Sequence, residues 1–334
     1  MPPFTTKELN RATLARQLLL ERSRLSVPKA VERLCAIQAQ SVPEAYVGFW
    51  SRLAGFRHET LTRALERQRV IRATLFRMTL HYVSAKNHPA FAELNHRRWR
   101  EELLRKGISV DELAPRIERL DADGPFTYAQ AAEVTPELAA RPFLVRCVTP
   151  LVHVPPAGTW GQTRVRLRTA KLPPVEPDEA AALLVRRYLG AFGPASRQDL
   201  IAFSGLRVAE VEPGLEGLRR FEDEQGRELL DLPRAPRPAA DTPAPVRLLP
   251  RWDALLLSHA DRTRVLPEEY RSTVITGGWV HATFLVDGVV AGRWRLERGK
   301  VKTEPFAPLP RSVRRELEDE ARRLETFYAA GDRA

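Results

Sequence analysis

The stretch Leu34 Cys35 Ala36 Ile37 Gln38 Ala39 Gln40 Ser41, with Pro43 and the aromatic-rich Ala45 Tyr46 Val47 Gly48 Phe49 Trp50 Ser51 Arg52 Leu53 behind it, sets the reading of the whole chain. Upstream, Val27, Val31, Leu34 and Ile37 fall at helical spacing, so a core-packed helix over residues 27–38 leads into two glutamines. Pro43 biases Val42 away from helical dihedrals and places the end of that helix close to them. Residues two apart on a continuous helix point about 200° from each other. Gln38 and Gln40 therefore share one site only if the helix stops or unwinds between them. In extended or turn geometry both amides face the same pocket.

Around this stretch, residues 7–21 read as a helix carrying Leu14, Ala15, Leu18 and Leu19 inward, and residues 59–68 as a third helix burying Leu61 and Leu65. Residues 70–76 and 78–84 then switch to the strand period, joined around Arg77. Three helices and a two-stranded wing make a winged helix over residues 1–90. Thr79 and His81 share one face of the second strand, so His81 faces DNA, faces the glutamine pocket, or is an ordinary surface or satisfied histidine.

A second module spans residues 91–172. A helix over residues 89–104 carries Phe91, Leu94 and Trp99; Thr127 caps a short helix, and Thr135 Pro136 is an N-cap followed by proline. Residues 160–169 read as a basic strand with Arg164, Arg166 and Arg168 on one face, either a wing edge aimed at phosphates or a charged edge that blocks aggregation. Residues 171–177 contain three prolines and read as a linker. In a third module, residues 173–240, Ser196 and Asp199 form a capping box ahead of a helix over residues 197–203. A further helix over residues 208–221 and a short strand over 228–232 follow. After an exposed Pro/Ala-rich segment at 233–246, residues 279–286, 289–296 and 300–304 alternate as a meander joined by Asp287 Gly288 and Arg298 Gly299. A helix over residues 312–328 closes the last region, residues 241–334.

The chain has 334 residues, 43% of them hydrophobic, enough for several modules. No run approaches the roughly 18 apolar residues of a membrane span, and the N-terminus has no signal-peptide pattern, so the expectation is a cytoplasmic protein. Cys35 and Cys147 are too few for a disulfide framework or a four-thiolate site and suit apolar packing. The net charge of +11 favours a polyanionic partner, nucleic acid first, and arginine greatly outnumbers lysine. Coding bias is the alternative source of individual arginines.

Taken together, Gln38 Ala39 Gln40, then Arg77 Met78 Thr79 Leu80 His81, Ala191 Phe192 Gly193 Pro194 Ala195, Leu248 Leu249 Pro250, Ser258 His259 Ala260 Asp261 Arg262 and Gly288 Val289 Val290 Ala291 Gly292 Arg293 Trp294 resemble the winged-helix DNA-binding superfamily to which the AlkZ-like DNA glycosylases belong. These landmarks occur in the family's order over nearly the whole chain. The resemblance implies an α+β protein of tandem winged-helix modules followed by a small C-terminal β-barrel. It implies that Gln38 and Gln40 are catalytic and that Arg77, His81, Arg164, Arg166 and Arg262 are DNA-binding. The implied partner is double-stranded DNA carrying alkylated guanine, held by a monomer with no membrane association.

No phosphate-binding loop, dinucleotide fingerprint, Gly-x-Ser-x-Gly or His-Glu-x-x-His is present, and the seven histidines lack metal-ligand spacing, so no metal and no cofactor are expected. Asp261 near His259 reads as an acid/base pair or as turn chemistry. The chemistry left must suit an amide with no useful pKa. Guanine alkylated at N7 carries a positive charge and is already an activated leaving group. Oriented amides then need only stabilise an oxocarbenium-like sugar and hold a water. A related branch of the family has aspartate at the second position. Gln40 places this chain with the branch tied to antibiotic producers' self-resistance, which excises bulky N7-guanine adducts or unhooks interstrand crosslinks. Ala39 is smaller than the residue often found between the glutamines. The implied enzyme is a monofunctional glycosylase engaging the minor groove with little base flipping. The rival is a transcriptional regulator, a two-fold dimer with one recognition helix per half-site.

Overall fold

Thr5 opens the first helix, α1 (Thr6–Arg16): its hydroxyl accepts from the Glu8 amide and the Glu8 carboxylate accepts from the Thr5 amide. The computed structural model describes residues 2–332, and they form a mixed α+β chain. Leu18, at φ 58°, turns the chain out of α1 earlier than its apolar spacing predicts. Next come α2 (Val27–Arg33), β1 (Ile37–Gln38), α3 (Val42–Arg52), α4 (His58–Glu66), β2 (Val70–Thr74) and β3 (Leu80–Ser84). Two expectations are corrected here. The second helix ends at Arg33, five residues short of the glutamines, because Cys35 takes a left-handed φ of 68°. Pro43 does not follow a helix but begins one: in the first turn of α3 its missing N–H costs nothing.

The next segment contains α5 (His88–Arg105), α6 (Val110–Ala122), α7 (Tyr128–Val134), α8 (Val145–Val148), β4 (Leu151–His153) and β5 (Leu167–Thr169). Thr127 caps α7 in a closed box with Gln130, as its sequence announces. The basic strand expected over residues 160–169 is regular only at its end. The five strands pair in the order β1-β3-β2-β4-β5, every pair antiparallel, so one sheet crosses from the first segment into the second through Ala73 and Val152.

Then follow α9 (Pro177–Phe192), α10 (Arg197–Ser204), α11 (Val208–Val211), β6 (Arg219–Glu222) and β7 (Glu228–Asp231). The Ser196–Asp199 box at the start of α10 is closed in both directions. The helix expected over residues 208–221 is α-helical for one turn, tightens to a 3-10 turn over Glu212–Leu215 where Pro213 offers no amide, and ends before Gly217 at φ 73°; β6 begins at Arg219. Arg16 of α1 reaches Asp231 of β7 with both nitrogens, at 2.7 and 2.9 Å, both side chains fully buried. It also donates to the Leu189 and Pro236 carbonyls, so the Pro/Ala-rich segment is pinned rather than free.

The last region holds β8 (Arg247–Leu249), α12 (Glu268–Val274), β9 (Ile275–Thr276), β10 (Trp279–Val280), β11 (Thr283–Val286), β12 (Val289–Glu297), β13 (Lys300–Pro305) and α13 (Arg311–Gly331). Asp287 and Gly288, at φ 46° and 81°, make the left-handed pair that a tight hairpin needs. The expected barrel is not found: the sheet runs β13-β12-β11-β8, and its two edges do not pair. Closing a barrel requires the first and last strands to meet; here α13 packs against both β8 and β13 and covers the face instead. Its apolar stripe Leu317, Ala321, Leu324 and Phe327 enters one core with Tyr46, Phe49 and Trp50 of α3 and Phe284 and Trp294 of the sheet. A second core joins Cys35 and Ala36 to α5, α9 and α10. The glutamine strand runs along the seam between these two cores. Among the described residues no helix is long and apolar enough to cross a membrane.

Candidate active site

Ile37 and Ala39 are buried, Gln38 is half-buried and Gln40 is exposed, the alternation of an extended strand with one face in the core. The pairing makes this explicit: Gln38 lies opposite His81 on β3, and the Ala39 amide donates to the Leu80 carbonyl at 2.7 Å. The glutamines, two apart on extended backbone, therefore point to the same side. Gln40 Oε1 accepts from the Leu80 amide at 3.3 Å, which leaves its NH2 group as an outward donor. Gln38 lines a small cavity of about 20 Å³, the room of one water, with Glu44, Arg251 and Trp252.

Arg72 of β2 fixes the strand from behind. Its Nε and Nη2 donate to the Ala39 carbonyl, between the glutamines, at 3.2 and 2.9 Å. Its Nη1 lies 3.0 Å from His153 Nδ1. That contact requires a neutral imidazole, and burial, with Arg72 and Arg146 nearby, lowers the His153 pKa to about 3. From the front, Glu44 in the first turn of α3 accepts from Arg251 Nε at 2.7 Å and from the Arg251 amide at 2.8 Å. Arg52 at the other end of α3 makes a buried two-pronged bridge to Asp253, at 2.9 and 2.7 Å. The carboxylates beside the cavity are thus both matched by arginine, and Gln17 is bonded to the Ala191 carbonyl and Arg52, which leaves Gln38 as the lining amide without a partner among the described residues.

The remaining expected residues scatter. His81 is on the glutamine side of the sheet but buried, not facing outward; its Nδ1 donates to the Thr79 carbonyl at 2.9 Å. Burial, with Arg77 nearby, lowers its pKa to about 3. Arg77 gives Nη1 to the Ala202 carbonyl at 3.0 Å and to that of Phe203, which fastens the turn between β2 and β3 to α10. Arg164 and Arg166 are exposed, whereas Arg168 beside them is tied to Asp121 at 3.0 Å. Arg262 is half-buried, with its Nε shielded and unpartnered. Asp261 does turn chemistry: Oδ1 accepts from the Thr263 amide and hydroxyl at 2.9 and 2.7 Å. His259 is buried and bound to the Phe192 carbonyl.

Sequence reasoning missed Arg72, Glu44 and Arg251. Only Arg72 left a signal: a charge between Val70 and Thr74 on the inward period of an otherwise apolar strand.

A family model described as DNA glycosylase AlkZ-like matches residues 31–327. An interstrand DNA cross-link repair glycosylase of Streptomyces sahachiroi is 26% identical, over 92% of each chain. The solved structure of the Streptomyces sahachiroi DNA glycosylase AlkZ has the same fold, with a TM-score of 0.81 and 22% identity, over 99% of this chain and 98% of that one.

Proposed function

The chain is a DNA glycosylase of the AlkZ-like family, and from that premise we propose that Gln38 and Gln40 hydrolyse the N-glycosidic bond of bulky N7-alkylguanine adducts and unhook interstrand crosslinks. The observation that carries the assignment is that the two glutamines leave an extended strand on the same side, Gln38 into the cavity and Gln40 toward solvent, with Ala39 locked between them by Leu80 and Arg72. The substrate's cationic base departs without a general acid. The Gln38 oxygen and the outward NH2 of Gln40 then hold a water beneath the sugar, which gives its second proton to solvent as it adds, and the Gln38 oxygen dipole faces the positive charge growing on the ring; because both amides are held in place beforehand no reorganisation is needed. No lysine enters this scheme, so the product is an abasic site and an intact strand.

The relative's crosslink-repair name supports extending the substrate range to crosslinks. On this reading the partner is double-stranded DNA with an alkylated guanine, the enzyme is a cytoplasmic monomer, and its role is self-resistance to a genotoxic product. The helix groups each followed by a hairpin, β2/β3, β4/β5 and β6/β7, support three winged-helix modules divided near residues 90, 172 and 240.

The test is excision from an N7-alkylguanine duplex, scored as strand breakage that appears only after hot alkali. Gln38→Ala and Gln40→Ala are each expected to slow single-turnover excision by about 10²–10³-fold while duplex affinity changes little. Equal losses in rate and affinity reduce the pair to binding residues. Breakage without alkali overturns the monofunctional assignment. Tight binding to a defined palindrome with no excision favours the regulator.

A further inference from the structure

His153 ends β4, in the second segment of the chain, yet the one polar partner of its side chain among the described residues is in the first: Nδ1 accepts from Arg72 Nη1 at 3.0 Å. The sheet brings the two together. Ala73 pairs with Val152 in antiparallel register, which sets Arg72 beside His153 on the face opposite the glutamines. The loop after β4 closes over the same arginine. Gly158, at φ 88°, lies so near that a Cβ there would come within 2.7 Å of Arg72 Cδ, and its carbonyl accepts from the Tyr82 hydroxyl of β3. The Trp160 amide donates to the Tyr46 hydroxyl of α3 at 3.2 Å. The second segment thus buttresses β2, β3 and α3, the elements around the glutamine strand.

What the imidazole does follows from guanidinium geometry. Arg72 Nε and Nη2 converge on a single atom, the Ala39 carbonyl oxygen. A planar fork that grips one point can still swing about it, and a third bond at Nη1 stops the swing. The group at position 153 must accept that bond without pulling the fork off Ala39. Arg16 and Arg52, also buried, each close on a carboxylate with two nitrogens, and a carboxylate beside Arg72 would compete for it in the same way. A neutral imidazole offers one lone pair and no charge.

We propose that His153 is a positioning residue for excision: through Arg72 it fixes the Ala39 peptide, and with it the directions of Gln38 and Gln40, so that the second segment sets the geometry of the reacting amides in the first. The inference rests on the assignment of the two glutamines as catalytic and extends it to a residue buried behind their strand.

The experiment measures single-turnover excision of N7-alkylguanine and duplex Kd for His153→Leu, His153→Asn, Arg72→Met, and Arg72→Met combined with His153→Leu. His153→Leu is expected to slow excision about tenfold with Kd unchanged. His153→Asn, whose Oδ1 stands close to the place of Nδ1, is expected to regain most of the rate. Because His153 acts through Arg72, the double variant should be no slower than Arg72→Met alone. Losses that multiply in the double variant, equal losses of rate and affinity, or a wild-type rate in His153→Leu overturn the proposal. If His153→Leu does not fold, His153→Gln replaces it: its amide falls near the Nε2 position, off Arg72, and excision should be slow where His153→Asn is fast, equal rates in the two being the contrary result. Gln38→Ala is run in parallel. Retained excision there defeats the glutamine assignment and this inference with it, whereas an inactive Gln38→Ala beside an unaffected His153→Leu defeats the role of His153 alone.

Discussion

Arg72 is a buried guanidinium with no ion-pair partner among the described residues; it faces a carbonyl and a neutral imidazole. An uncompensated buried charge costs several kcal/mol, so what it does for the Ala39 carbonyl must offset that cost. Holding the peptide between two amides fixes the direction of both. Arg72→Met keeps the volume and removes the clamp; excision is expected to fall about 10²-fold, as for a misplacement of about an ångström, with duplex Kd unchanged. Arg72→Lys, which can reach the carbonyl with one donor, should recover part of the rate. A parallel loss of affinity, or none of either, contradicts the positioning role. The same residues bear on pH. With His81 and His153 lowered to about 3 and amides as the working groups, the single-turnover rate should be flat between roughly pH 6 and 9. A limb near the ordinary histidine pKa would place an imidazole in the chemistry.

At the scale of elements, α3 positions Glu44 at one end and is anchored at the other by Arg52, whose guanidinium also reaches the Gly48 carbonyl and Gln17. Asp253→Ala strands that guanidinium in the interior, and denaturant unfolding should register a loss of about 3–5 kcal/mol. A loss below about 1 kcal/mol would show that water reaches Arg52. Much at this scale was legible. Strands β2 and β3 joined at Arg77, the caps at Thr127 and Ser196, the Asp287 Gly288 turn and α13 all rest on local chemistry, and all are present. The requirement that extended backbone separate the glutamines was legible too. The end of α2 was not, because Cys35 at a left-handed φ carries none of the signal that glycine or asparagine gives. Helix α3 was missed because proline marks both a helix's end and its beginning. The open sheet was misread as a barrel because closure depends on whether β8 pairs with β13 or α13 packs across both of them, a contact between distant parts of the chain that no local pattern encodes.

For the whole molecule, stability and binding respond to different charges. His81, His96 and His153 are lowered to about 3 and His88 to about 4, burial being the first cause in each. The unfolded chain binds protons at these groups near pH 6.5 while the folded chain does not. Their contribution is therefore present above pH 6.5 and lost as the pH falls toward 3. Asp261, raised by burial but lowered further by its bonds to Thr263 and Arg227 to about 2, adds its loss only below the usual carboxylate range. Thermal midpoints should therefore begin to fall near pH 6.5; a midpoint unchanged down to pH 5 would mean that the histidines titrate normally. Binding draws on the net charge of +11, but many arginines are spoken for: Arg168 by Asp121, Arg16 by Asp231, and Arg77 in part by the α10 carbonyls. On the proposed reading, exposed Arg164 and Arg166 are expected to meet phosphate. Each phosphate neutralised adds about one to the slope of log affinity against log salt. Arg164→Ala and Arg166→Ala should each flatten that slope by about one, measured on undamaged duplex between about 50 and 200 mM salt. Arg77→Ala should leave the slope in place, because its guanidinium already serves the protein. The opposite pattern would move the DNA path from the β4/β5 edge to the turn between β2 and β3.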